Sequence, residues 1–135
     1  MGPIVIYTDG GARGNPGPAG AGAVLIDGEK KVEVAQFLGE MQTNNWAEYE
    51  AVVIALGRAI ELGFLSRDIE FRLDSQLVVE QLSGKWKIKE RSLRAQVEKV
   101  RALIKNFGTV RFTYIPREEN KEADRLVNEA LDKHV

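Results

Sequence analysis

Residues 4–27 read IVIYTDGGARGNPGPAGAGAVLID, and the fold turns on how this stretch is divided. The β-branched, apolar run at 4–9 predicts a strand that closes on Asp9. GGARGNPGPAG, rich in Gly and Pro, reads as the loop after it. A second strand is expected over 20–27 and a third over 32–39, joined by the hairpin signal DGEKK. Gly20, Ala21, Gly22 and Ala23 are so small that another element is expected to pack closely over that strand.

Working outward, Thr43 or Asn44 is the expected N-cap of a helix that runs to Leu62 and stops at Gly63. Residues 69–73 form a strand, IEFRL, closed by Asp74, and a short helix follows from Ser75 to Leu82. A longer helix covers 90–106, a strand covers 109–115 until Pro116 ends it, and the last helix spans 118–133. The element order βββαβααβα implies an α/β domain with a five-stranded mixed sheet. Right-handed crossovers place the strands in the order 3-2-1-4-5. Such sheets hold ligands beyond the carboxyl ends of their parallel strands, at the switch point, where Asp9 and Asp74 would sit about 5 Å apart.

Two more acids break the local pattern. At about 100° per residue, Glu48 lies within about 40° of Val52, Ala55 and Ala59 on its helix. Asp124 lies beside Ala123, Val127 and Leu131 on the apolar face of the last helix. An unpaired acid on a buried face costs several kcal/mol, and carboxylates drawn from separate elements to one spot repel unless a cation joins them. Asp9, Glu48, Asp74 and Asp124 therefore form a candidate divalent-metal site. Taken alone, Asp9 before Gly10–Gly11 is also ordinary turn chemistry, and Asp74 before Ser75 an ordinary cap.

The totals fit one soluble domain over 1–135. The chain has 135 residues, 44% hydrophobic and 29% charged, and no Cys, which excludes disulfides and thiolate zinc sites. No apolar run approaches the roughly 20 residues that cross a bilayer, and the N-terminus lacks signal-peptide architecture, so a cytoplasmic protein is expected. The net charge of −1 hides one basic stretch: Lys85, Lys87, Lys89, Arg91, Arg94, Lys99, Arg101 and Lys105 face only Glu90 and Glu98. That is either a footprint for phosphates or a solvated helix face.

YTDGGARGNPGPAGAG at 7–22, TNNWAEYEA at 43–51, DSQ at 74–76 and PREENKEADRLVNEA at 116–130 resemble, in order and spacing, the motifs of ribonuclease H type 1. The resemblance covers nearly the whole chain and implies the ribonuclease H-like fold. It implies hydrolysis of the RNA strand of RNA/DNA hybrids with two Mg²⁺ ions, Mn²⁺ being a possible substitute, and products with 5′-phosphate and 3′-hydroxyl ends. Asp9, Glu48, Asp74 and Asp124 would hold the ions, with Asp9 bridging both. Asn15, Asn44, Asn45 and Gln76 match polar minor-groove contacts, each also a natural turn or cap residue. Thr43 resembles a DNA-phosphate contact, and Gly10, Gly11 and Arg13 fall in the substrate-binding stretch. Trp86, with Lys85 and Lys87, resembles the wall of a DNA channel; core packing is the alternative. Trp46 reads as packing. A monomer is expected, with no obligate protein partner evident in the sequence and no membrane.

Three departures stand out. KWKIKERSL at 85–93 runs almost directly into the next helix, without the basic protrusion of many bacterial members, as in short archaeal-like forms. Glu90 stands where several relatives carry an Asn. The loop before Asp124 has no His, so Arg117 is the candidate substitute, acting through charge because Arg does not exchange protons near neutral pH. His134, the single His, reads as a bystander at a frayed C-terminus. A binding module on the same fold, or half of an actin-like ATPase, are the rival classes; the four acids disfavour the first and the length the second.

Overall fold

The structure, a computed structural model, describes residues 2–134. Its strands are β1 (Ile4–Ala12), β2 (Gly17–Asp27), β3 (Lys30–Gln42), β4 (Ile69–Leu73) and β5 (Val110–Tyr114). Its helices are α1 (Asn44–Glu61), α2 (Gln76–Leu82), α3 (Arg91–Ile104) and α4 (Lys121–His134), with one 3₁₀ turn at Arg117–Glu119. The sheet has the expected order, β3-β2-β1-β4-β5. The β1–β2 and β2–β3 pairs are antiparallel, and β1–β4 and β4–β5 are parallel.

One face of the sheet carries the core. Ile4, Ile6, Phe71 and Leu73 pack against Tyr49, Val52 and Leu56 of α1 and Val97 and Val100 of α3. Burial of this apolar surface is the main stabilising term. Helix α1 begins where expected: the Thr43 hydroxyl accepts from the Trp46 N–H at 3.2 Å, and Gly63, at φ 81°, follows the last turn.

The other face is covered by α4 through Ala123, Leu126, Val127, Ala130 and Leu131. This is the element that the small residues of β2 anticipate. A Cβ on Gly22 would lie 2.3 Å from the Ala123 carbonyl oxygen, and one on Gly20 would lie 3.0 Å from that of Val127. The helix backbone rests on the strand backbone.

Besides β3, which overruns the expected 32–39 at both ends as Lys30–Gln42, two regions differ from the sequence reading. The presumed loop GGARGNPGPAG is mostly strand: Gly10↔Ala21, Gly11↔Gly20 and Ala12↔Ala19 continue the β1–β2 ladder, leaving only residues 13–16 as the turn. Backbone hydrogen bonds need no side chain, and Gly10 and Gly20 are required by overlying helices, while Gly14 and Gly17 serve the turn. The last helix is also interrupted. Asn120 leaves helical geometry at φ −118° and ψ 30°, so a 3₁₀ turn precedes α4 instead of a continuous helix from 118.

Two substitutions test the packing. Gly22→Ala drives a methyl into the Ala123 carbonyl and should destabilise by about 1–3 kcal/mol. Gly57→Ala, where a Cβ meets nothing within 4 Å inside α1, should stabilise by about 0.5–1 kcal/mol. Denaturant unfolding of both variants reads the opposite signs.

Candidate metal centre

Parallel pairing of β1 with β4 ends at Thr8↔Leu73, so Asp9 and Asp74 emerge side by side at the next step. Beyond that point β1 continues with β2 alone, and Asp9 pairs with Gly22. Glu48 arrives from the second turn of α1. Its approach depends on Gly10: a Cβ there would lie 2.2 Å from the Ala47 carbonyl oxygen. With no side chain in the way, the Gly10 N–H donates to Glu48 Oε1 at 2.6 Å and to Asp9 Oδ1 at 3.0 Å. Two asparagines lock the same junction. Asn44 Oδ1 accepts from the Ala12 N–H at 2.8 Å, and Asn15 Oδ1 accepts from the Asn44 N–H at 2.9 Å.

As a result Asp9, Glu48 and Asp74 each offer an oxygen, all within 4.8 Å of one another. Asp124, in the first turn of α4, lines the same cleft but lies outside this tight trio. The cleft has a volume of about 520 Å³ and is also lined by Gly10, Gly11, Arg13, Asn44, Asn45 and Arg117.

The electrostatics follow from this crowding. Asp9 is only 8% exposed. Burial, then the charges of Asp74 and Asp124, push its pKa up to about 7 against hydrogen bonds from Glu48 and the Gly10 N–H. Burial, followed by the Asp9 charge, raises Glu48 well above the ordinary carboxyl range. Asp74 is also raised by burial, although Arg117, its own backbone N–H and Asn120 oppose the shift. The trio resists full ionisation without a counter-charge. Arg13 is engaged elsewhere, 2.7 Å from Asp132 and donating to Asn128 Oδ1 at 3.2 Å. An all-carboxylate oxygen set suits a hard divalent cation of the Mg²⁺ or Mn²⁺ type, so the residues present fit a metal ion.

The other expected site residues divide. Asn15 and Thr43 are used in the turn and the cap and do not line the cleft. Gln76 is exposed at the start of α2, next to Ser75 of the cleft wall, and does not itself line the cleft. Trp86, at 44% exposure, is not core, which removes that alternative; it sits with exposed Lys85, Lys87 and Lys89 on the segment between α2 and α3. That segment is pinned from beneath: Tyr49 donates to Gln81 Oε1 at 2.6 Å, and Gln81 Nε2 donates to the Lys87 carbonyl at 3.1 Å. Trp46 packs against the core as expected. The frayed end expected for His134 is corrected. It closes α4, stacks on Phe37 at 3.5 Å between ring centroids and lies 2.5 Å from Glu40.

Two cleft neighbours escape the sequence reading. Asn128 lines the cleft one turn after Asp124, an i, i+4 relation that marks it in retrospect. Asn120 is 1% exposed, and its Nδ2 donates to the Thr8 carbonyl at 2.9 Å. Its signal in the sequence, a polar residue four before Asp124, looks like a cap.

Fold and cleft together define a class: a mixed α/β sheet with acids gathered at its switch point. Residues 7–130 match the family described as "Reverse transcriptase-like". Ribonuclease HI of Halobacterium salinarum is 44% identical over 133 residues, which span 97% of this chain and 65% of that protein. A bifunctional protein of Mycobacterium tuberculosis is 42% identical over 132 residues, 96% of this chain but 35% of its own length. The chain thus spans about two thirds or less of these relatives. The crystal structure of RNase H1 from Halobacterium salinarum superposes with a TM-score of 0.91, covering 98% of this chain and 99% of that one. An RNase H1 isolated from compost, solved in complex with an RNA/DNA hybrid, gives a TM-score of 0.92 at 43% identity, over 97% of this chain and 98% of that one. The chain belongs to the ribonuclease H1 family. Among the described residues no helix is long and apolar enough to cross a membrane.

A folded-state pKa of Asp9 about 7, above the ordinary 3.8, means that the metal-free native state binds the proton more tightly than the unfolded chain. Its contribution is present below the ordinary carboxyl value and lost as pH rises through about 7. Asp9→Asn removes that loss. In chelator, the melting temperature of the variant should exceed that of the wild type by a margin that widens from pH 5 to pH 8, and thermal scans across that range check it.

Proposed function

We propose that this chain is a ribonuclease H, an endonuclease that hydrolyses the RNA strand of RNA/DNA hybrids. The observation that carries the reading is the convergence of Asp9, Glu48 and Asp74 from three separate elements to within 4.8 Å in an open cleft. Membership of the ribonuclease H1 family, and the hybrid bound by the compost relative, support the substrate.

In this reading Asp9, Glu48, Asp74 and Asp124 would hold two Mg²⁺ ions, with Mn²⁺ as a substitute. Such ions, when bound, would supply a water of lowered pKa and neutralise charge on the scissile phosphate and its leaving oxygen. The chain itself provides position. Asp9 is fixed by the Gly10 N–H and Glu48 by the close seat of α1 on β1. No side chain acts as the nucleophile: water attacks the phosphorus and the bond to the 3′ oxygen breaks, which leaves 5′-phosphate and 3′-hydroxyl ends. Arg117, beside Asp74 on the cleft rim, stabilises phosphate charge without exchanging protons.

Recognition of the hybrid falls to the lips of the cleft. Gly10, Gly11, Arg13, Asn44 and Asn45 face the RNA strand, whose 2′-hydroxyls distinguish it from DNA. Asn15 and Thr43 shape that lip, and Gln76 extends it. Trp86 with Lys85 and Lys87 offers an exposed aromatic and cationic surface to the DNA strand. Residues 1–135 act as a single monomeric ribonuclease H domain in the cytoplasm, needing no protein partner.

A labelled RNA/DNA hybrid, incubated with Mg²⁺ or Mn²⁺ beside single-stranded RNA, duplex RNA and duplex DNA, tests the substrate. Only the hybrid should be cut. Hybrid binding without product in either ion would favour the binding-module alternative. Asp9→Asn should lower cleavage by more than about 100-fold while retaining hybrid binding. Arg117→Ala should lower kcat roughly 10-fold and leave metal affinity unchanged; an unaltered kcat would remove Arg117 from the reaction.

A further inference from the structure

Asp9 and Asp124 come from β1 and α4, and one residue bonds to both elements. Asn120 lies between the 3₁₀ turn and α4 and is 1% exposed. Its Nδ2 donates at 2.9 Å to the carbonyl of Thr8, the residue before Asp9. Its main-chain carbonyl accepts the Asp124 N–H at 3.1 Å.

The orientation of this amide is informative. Asn120 Oδ1 is buried without a hydrogen-bond partner. An Asn serving only as a helix cap would turn that oxygen toward the free N–H groups of the first turn of α4. Asn120 instead directs its amide N–H at the Thr8 carbonyl and leaves its oxygen idle. Turning the amide over would set Oδ1 against that carbonyl, itself an acceptor. A buried acceptor without a donor is unfavourable, and such a group persists where its neighbours demand it.

We propose that Asn120 is a positioning residue for the metal centre, fixing the spacing of Asp9 and Asp124 by tying the Thr8 carbonyl to the start of α4. The proposal rests on the metal-binding reading of the cleft. Asn120 would not itself hold the ion. It orients the groups that do, and loss of such outer partners typically weakens metal binding about 10–100-fold.

Calorimetric titration with Mn²⁺, without nucleic acid, tests this in the wild type, Asn120→Ala, Asn120→Ser and Gln96→Ala. Gln96 is an equally buried amide, donating to Glu50 at 3.0 Å and to the Trp46 carbonyl at 3.3 Å, and it does not line the cleft. Thermal melts in chelator report folding of each variant. The expected result is a dissociation constant about 10–100-fold higher in both Asn120 variants, which still melt cooperatively, and an unchanged one in Gln96→Ala. Wild-type affinity in a folded Asn120 variant would overturn the proposal. So would equal weakening in Gln96→Ala, or failure of both Asn120 variants to fold. Absence of Mn²⁺ binding by the wild type would instead strike at the metal reading itself.

Discussion

Two helix backbones rest directly on strand backbones, and the site depends on those two contacts. Gly10 lets α1 approach β1 until a Glu48 oxygen reaches the Gly10 N–H. Gly22, the ladder partner of Asp9, lets α4 settle on β2 with Ala123 against the strand, which brings Asp124 to the cleft rim. Any side chain at either position would act as a spacer between an acid and its companions. Close packing elsewhere in the molecule stabilises the fold; here it sets distances between charges.

The consequence is an electrostatic conflict. Burial and mutual repulsion oppose ionisation of Asp9, Glu48 and Asp74, while the surrounding sheet and helices prevent them from separating. Without a cation the conflict is eased by retained protons, and with one it is eased by the ion's charge. Stability is exchanged for a preformed binding site, a common arrangement where function requires charge in a partly buried place.

Much of this was legible in the sequence. Asp9 and Asp74 each close an apolar strand, and the handedness of crossovers is enough to bring them together. Glu48 and Asp124 interrupt apolar helical stripes, which few residues do without a reason. What the sequence hid is equally physical. Gly10–Ala12 and Gly17–Ala19 lack the side chains that mark a strand, so their ladder reads as a loop. All four acids look equivalent in a linear pattern, and only the packing shows that Asp124 stands apart from the other three. Asn120 resembles a cap until its amide is seen turned toward Thr8. His134 gains its contacts from β3, 94 or more residues away in sequence.

The central claim is that a divalent cation replaces protons held by crowded carboxylates. Calorimetric titration with Mn²⁺ at pH 6.5, repeated in two buffers of different ionisation enthalpy, measures that exchange directly. Binding should expel protons, seen as a buffer-dependent heat. Binding with no proton release, or no binding at all, would contradict the account.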